Sequence, residues 1–164
     1  MDLLPRTAVT LEDCKAHIAT IRSTGTIDTS AVEAYLARHV VLVLCAEIEQ
    51  SITDLVYQRV DRGGCDPVVA NLMRARKKGM VRSANHDEIA STLGQLDISI
   101  RDSYKSTVLD AVGEAGVVRL GNAVTARDSV SHASPPSITL NDVEAAYQVG
   151  LVVVDAATQA LAAS

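Results

Sequence analysis

The sequence predicts an all-α bundle of five to seven helices, two or three of them long and packed side by side. Three observations carry that expectation. Apolar residues recur at helical spacing along the chain, and no segment alternates long enough to read as a strand. The composition is 48% hydrophobic and 21% charged, with nine Gly and only four Pro, which suits a packed core and excludes a disordered or collagen-like chain. There is no Trp or Phe and only four Tyr, so the core must be built from Val, Ile, Leu and Ala. The chain of 164 residues fits a single helical domain over 1–164. Such a length buries about two-thirds of the surface that the unfolded chain exposes.

The first helix is expected over Leu11–Ile21, with Leu11, Cys14, Ile18 and Ile21 on one stripe, broken by Ser23-Thr24-Gly25-Thr26. Thr29 or Ser30 then caps a long helix from Ala31 to about Val60, with Glu33 spaced to reach back to the cap. Between Val40 and Ala46 this helix is apolar on nearly all sides, as in the central rod of a bundle. Asp61-Arg62-Gly63-Gly64 ends it, and Asp66-Pro67 opens a short helix with Pro in the first turn. Further helices are expected over Asp87–Leu93, ended by Gly94, and over Ile98–Val112. Gly113 and Gly116 bracket a break before Val117–His132, which stops ahead of Pro135-Pro136. Thr139 and Asp142 have reciprocal capping spacing for the last helix. Its stripe is Val143, Tyr147, Gly150, Val154, Ala157 and Leu161.

The net charge of −5 and pI near 5.3 oppose general nucleic-acid coating, so RNA contact would require a local basic patch. Arg74, Arg76, Lys77, Lys78 and Arg82 supply one within nine positions. It reads either as a phosphate-tracking loop or as a solvated connection, and its charge also suits an acidic protein partner. The scarcity of aromatic rings excludes stacked-base platforms. Cys14, Cys45 and Cys65 lack metal-ligand spacing and read as reduced thiols of a cytoplasmic protein. The longest uninterrupted apolar stretch, Val40–Ala46, falls far short of the ~20 residues of a membrane span, so no membrane partner is expected. The N-terminus lacks the basic start and apolar run of a signal peptide. No metal, Gly-rich phosphate loop or nucleophile elbow is indicated, and no cofactor is expected.

The stripe Val117, Leu120, Val124 delivers Arg127 and Asp128 on its next turn, followed by Ser131 and His132. Asp128 and His132 share a helical face, as do Arg127 and Ser131. One reading is a capping and salt-bridge cluster that closes the bundle. The other is metal-free RNA cleavage, in which a ribose 2′-hydroxyl attacks the neighbouring phosphate. That chemistry needs a base, an acid and a cation for the phosphorane. His132 can move protons near neutral pH, Arg127 can clamp phosphate, and Ser131 can help orient it. A helix C-terminus and Asp128 favour the imidazolium of His132. Glu47 interrupts the stripe Leu36, Val40, Val43, either to pair with Arg127 or hold His132, or as a solvated rim residue; Glu49 is expected to point elsewhere, into solvent. His17 and His86 read as surface positions, with His86 also placed to cap the helix it begins, and His39 as a packed or interface residue.

Ala126-Arg127-Asp128-Ser129-Val130-Ser131-His132 resembles the Arg-x4-to-6-His motif of the HEPN superfamily, whose best-studied members are metal-independent endoribonucleases. Ser137-Ile138-Thr139-Leu140-Asn141-Asp142-Val143 is similar to the segment that follows the motif in the branch associated with RNA-ligase-like (RiboL-PSP) systems. Val40–Glu47 and the stretch from Arg82 to Leu96 resemble that branch's long apolar helix and its middle segment. The likeness spans roughly Ala31 to Leu161. Two positions depart from the pattern: Asp128 stands where Asn is common, and Ala133 where Gly is frequent. The resemblance implies catalysis by Arg127 and His132, with Asp128, Ser131 and Glu47 in support, at a cleft between two copies. It also implies a toxin–antitoxin or defence setting with a cognate antitoxin or other protein partner. Asp128 places a negative charge where phosphate would bind, and the alternative reading is a silent HEPN domain that binds RNA or protein as a dimer. A purely structural bundle is a third.

Overall fold

The computed structural model describes residues 3–24, 28–63, 71, 80–129 and 138–163, with Ser129 described by its backbone alone. Five helices are delimited among the described residues: α1 (Pro5–Ser23), α2 (Ser30–Arg62), α3 (His86–Gly94), α4 (Ile98–Ser129) and α5 (Leu140–Ala163). There is no strand among the described residues, and the all-α bundle expected from the sequence is the observed architecture. The α5 helix packs against both α2 and α4, while α1 lies on α2 and α3 on α4. The expected helix at Asp66-Pro67 lies outside the described residues.

The core is aliphatic, as the composition requires. Val40, Val41, Leu44, Ile48 and Ile52 of α2 meet Val143, Val149, Val153 and Ala157 of α5 in one buried cluster. Close approach of these helices depends on Gly150. A Cβ at that position would lie 3.0 Å from Ile48 Cδ1 and 3.3 Å from both Leu4 and Leu44 Cδ1. Half of the most apolar window of α5 is buried in the bundle; by length and composition alone this helix could cross a bilayer. Its apolar stripe serves the core, with Val143, Gly150, Val154, Ala157 and Leu161 all buried.

The α1 helix starts six residues before the sequence predicted, and the reason lies on another helix. Leu4 offers no side-chain cap, and Pro5 occupies the first turn. Glu47 of α2, itself buried, caps α1 instead. The Arg6 and Thr7 backbone N–H groups donate to its two carboxylate oxygens at 2.9 and 2.8 Å, and the Thr7 hydroxyl donates at 2.7 Å. A carboxylate there satisfies otherwise orphaned N–H groups and faces the positive end of the helix dipole. At the other end of this antiparallel hairpin, Arg22 pairs with Glu33 at 2.6 Å. The Glu33 capping box is therefore not formed; the Asp28 side chain accepts the Ser30 N–H at 2.9 Å.

The expected break in α4 falls at Gly113, whose φ of 64° leaves the helical backbone within an otherwise continuous run. The predicted cap of α5 is present: Thr139 N–H donates to Asp142 at 3.0 Å, and Asp142 N–H donates to the Thr139 hydroxyl at 3.2 Å. Asn85, not His86, caps α3, accepting the Asp87 N–H at 2.9 Å. The surface position expected for His86 is corrected by the structure. His86 is buried, its ring stacked on Tyr104 of α4 at 5.2 Å between centroids. His86 Nε2 and the Tyr104 hydroxyl have no hydrogen-bond partner among the described residues.

Two buried groups, His86 and Glu47, give the fold a defined acid sensitivity. Burial pushes the His86 imidazole below its ordinary value of 6.5, against the pull of Asp87. The unfolded chain therefore takes up this proton first, so stability is complete above 6.5 and declines as pH falls through the lowered folded value. For Glu47, burial opposes the charge, but hydrogen bonds from Thr7 and Arg6 outweigh it and hold the carboxyl below 4.5. Its contribution is complete above 4.5 and is lost as pH falls through the lowered value. Urea unfolding from neutral pH down to about pH 3 is expected to show loss in two stages. His86→Gln should abolish the upper stage, and Glu47→Gln should shrink the lower, which Asp28, Asp97 and Asp142 share through carboxyls held below 3.8 by hydrogen bonds. At neutral pH, Glu47→Ala should cost about 3 kcal/mol. Wild-type stability that stays flat below pH 6.5 would contradict the buried, neutral His86.

Candidate functional site

Arg127 sits in the last turn of α4, where the stripe of Leu120 and Val124 runs out of core. Its side chain is 20% exposed and is shared between two carboxylates. Nη1 donates to Glu49 Oε1 of α2, and Nε donates to Asp128 Oδ1 at 3.1 Å. Glu49 is 24% exposed and Asp128 64%, so the first contact ties two helices and the second is a local surface pair. Burial works against the guanidinium charge, yet hydrogen bonds to Glu49 and Asp128 raise its pKa. Arg127 therefore stays a cation, fixed in orientation.

Beneath this cluster lies Cys45, fully buried and within electrostatic range of Arg127, Glu49 and Asp128. Burial pushes its thiol up to about 12, overriding the pull of Arg127. A thiol held protonated in this way is neither nucleophile nor metal ligand at neutral pH. No group of three His, Cys, Asp or Glu able to hold a metal ion occurs among the described residues.

The structure thus brings Arg127 and Asp128 together, and it sets Glu47 elsewhere. The carboxylate that pairs with Arg127 across the helices is Glu49, not Glu47, and the solvent position expected for Glu49 is corrected. Two residues along a helix correspond to about 200° of rotation, so Glu47 and Glu49 leave α2 on nearly opposite sides. Glu47 falls on the core stripe and is consumed by the N-terminus of α1. The signal for Glu49 was available in its spacing, because it continues the register Leu42, Ala46 on the other side of the helix. Arg82 is exposed in the segment before α3. Arg74, Arg76, Lys77, Lys78, Ser131 and His132 lie outside the described residues, as does Cys65.

No family model matches the chain, and neither a curated protein nor a solved structure is significantly similar to it.

The geometry makes a sharp distinction between the two glutamates. A double-mutant cycle on Arg127→Ala and Glu49→Ala should give a coupling of about 1 kcal/mol in urea unfolding, the scale for a half-exposed pair. Arg127→Ala with Glu47→Ala should be additive within about 0.5 kcal/mol. Coupling to Glu47 and none to Glu49 would reverse the assignment.

Proposed function

We propose that this chain is a HEPN-type, metal-independent endoribonuclease of the cytoplasm, acting on RNA in a toxin–antitoxin or defence setting. The observation that carries the reading is the half-buried Arg127, oriented by Glu49 at the end of α4, five positions before His132. A cation fixed before substrate arrives costs no reorganisation when charge develops on phosphorus. A guanidinium carries five N–H donors, so two carboxylate partners do not exhaust it as a phosphate clamp.

In the proposed reaction His132 of one copy takes the 2′-hydroxyl proton as the oxygen attacks the adjacent phosphate. Arg127 stabilises the phosphorane, with Ser131 orienting a phosphate oxygen. The 5′-oxygen leaves with a proton from the second copy's histidine, giving a 2′,3′-cyclic phosphate and a 5′-hydroxyl end. A chain that offers one such histidine needs a second copy for the second role. The basic residues Arg74, Arg76, Lys77, Lys78 and Arg82 would track the RNA backbone.

A specific observation favours a second reading. Both Asp128 and Glu49 occupy Arg127, and three charges that sum to −1 repel phosphate at long range. On that reading the chain is a catalytically silent dimeric module that binds RNA or a protein. Cleavage of RNA in EDTA separates the two. The nuclease reading expects wild-type activity that survives EDTA and falls at least about 100-fold in both Arg127→Ala and His132→Ala. Equal background in all three samples overturns the nuclease reading and favours the silent module.

A further inference from the structure

Along α2, Val32, Tyr35, His39, Leu42 and Ala46 are all exposed and follow one another at spacings of 3, 4, 3 and 4. That is the register of a helix-to-helix seam, in which alternate knobs enter a facing helix. Their exposure is large: 38% for Val32, 70% for Tyr35 and 42% for Leu42, with Val9 of α1 alongside at 62%. Between Ala34 and Ala46 the only formally charged side chain is Arg38. A solvated helix face carries charge, whereas one without it is ordinarily covered. A groove runs beside the seam between α1 and α2, lined by Pro5, Val9, His39, Leu42, Val43 and Ala46.

We propose that this seam is a self-association surface, occupied by the same face of a second copy of the chain. Charge selects the occupant. The molecule carries a net charge of −5, so two copies repel except where they meet on a face without carboxylates. The residues that line the groove and the five that form the seam include none, Glu33 lying off this register and paired with Arg22, and Arg6 at the groove edge is turned towards Glu47 at 3.4 Å. Size agrees. Fourteen residues of helix run about 21 Å, and two helices side by side are about 20 Å across. A corrugated face of that footprint belongs with the ~600 Å² per partner at the lower end of standard interfaces.

The next position in the same register after Ala46 is Glu49, the residue that holds Arg127. A two-fold pairing on this seam therefore borders the Arg127 cluster of each copy. This last step rests on the composite-site reading above; the seam itself does not.

The test is the oligomeric state of the full chain by light scattering and sedimentation, with fold checked by circular dichroism, for wild type, Tyr35→Asp, Leu42→Glu and Val118→Glu. Val118 is an exposed apolar residue of another helix, α4, and does not line the groove beside the seam. The expected result is a wild-type dimer retained in Val118→Glu and weakened at least about 100-fold in both seam variants, since a desolvated like-charge pair costs several kcal/mol. A wild-type monomer overturns the proposal. So does a dimer that survives both seam substitutions, or one lost equally in Val118→Glu. RNA cleavage by the same samples tests the other reading separately. Monomeric seam variants that cleave normally leave the seam standing and overturn the composite site. A wild-type dimer without cleavage leaves the seam standing and overturns the nuclease.

Discussion

A single buried carboxylate decides how the first half of this molecule is arranged. Glu47 is taken out of water in the middle of the long helix and made tolerable there by donors from Arg6 and Thr7. An isolated buried charge would cost many kcal/mol, and the N-terminus of α1 supplies the N–H groups and the dipole that offset it. The dependence is mutual, since α1 has no side-chain cap of its own. With α1 fastened at this point, Leu4, Leu11 and Ile18 are set against the core, and Leu4 reaches the α2–α5 crossing at Gly150. The hairpin, the crossing and the start of the first helix are consequences of one interaction.

That interaction also determines what α2 can do on its other sides. Glu47 is spent inside, so it cannot serve the end of α4, and Glu49 on the opposite side meets Arg127. The helix thus divides its three jobs by angle. One stripe builds the core with α5, one carboxylate holds α1, and the remaining face carries the exposed register that ends at Glu49. The division explains why a helix whose stretch from Ala34 to Ala46 carries only Arg38 as a charge reads there as a rod buried on all sides while part of it stays open.

Periodicity and the cap of α5 were legible in the sequence; the capping at the start of α2, where Glu33 pairs with Arg22 instead, and the other tertiary partners were not. The α2, α4 and α5 helices, the break at Gly113 and the Thr139–Asp142 cap all follow from residues within a few positions of one another. The start of α1 did not, because its cap lies 40 positions away. His86 failed for a related reason. A polar residue at a helix start reads as exposed, and only the stacking on Tyr104, 18 positions on, accounts for its burial. The site was legible at Arg127 and Asp128, where polar residues replace an apolar stripe. Its third member was misassigned because an interrupted core stripe drew the eye to Glu47, although a buried glutamate next to a helix N-terminus has no need of an arginine.

The charge balance around Arg127 bears on both functional readings. A guanidinium held by two carboxylates is weaker at attracting a distant phosphate than a free one, but better placed to stabilise a nearby one. On the proposed nuclease reading, attraction at range would come from elsewhere, and in a chain of net charge −5 the basic run from Arg74 to Arg82 is the proposed source. Positioning, by contrast, is local and short-ranged, and it requires that Arg127 not follow the substrate as it moves. The two carboxylates differ in this respect. Glu49 is half-buried and joins α2 to α4, so it fixes the guanidinium relative to the frame of the bundle. Asp128 is mostly exposed and adjacent in sequence, so water screens its charge and it fixes little. The net repulsion that favours a silent module therefore comes mainly from a screened surface charge, whereas the orientation that favours a catalyst comes from the less exposed pair. On the proposed nuclease reading, the less exposed Glu49 contact is the one that would preorganise Arg127, and the screened Asp128 contact the one that would weaken its pull on phosphate.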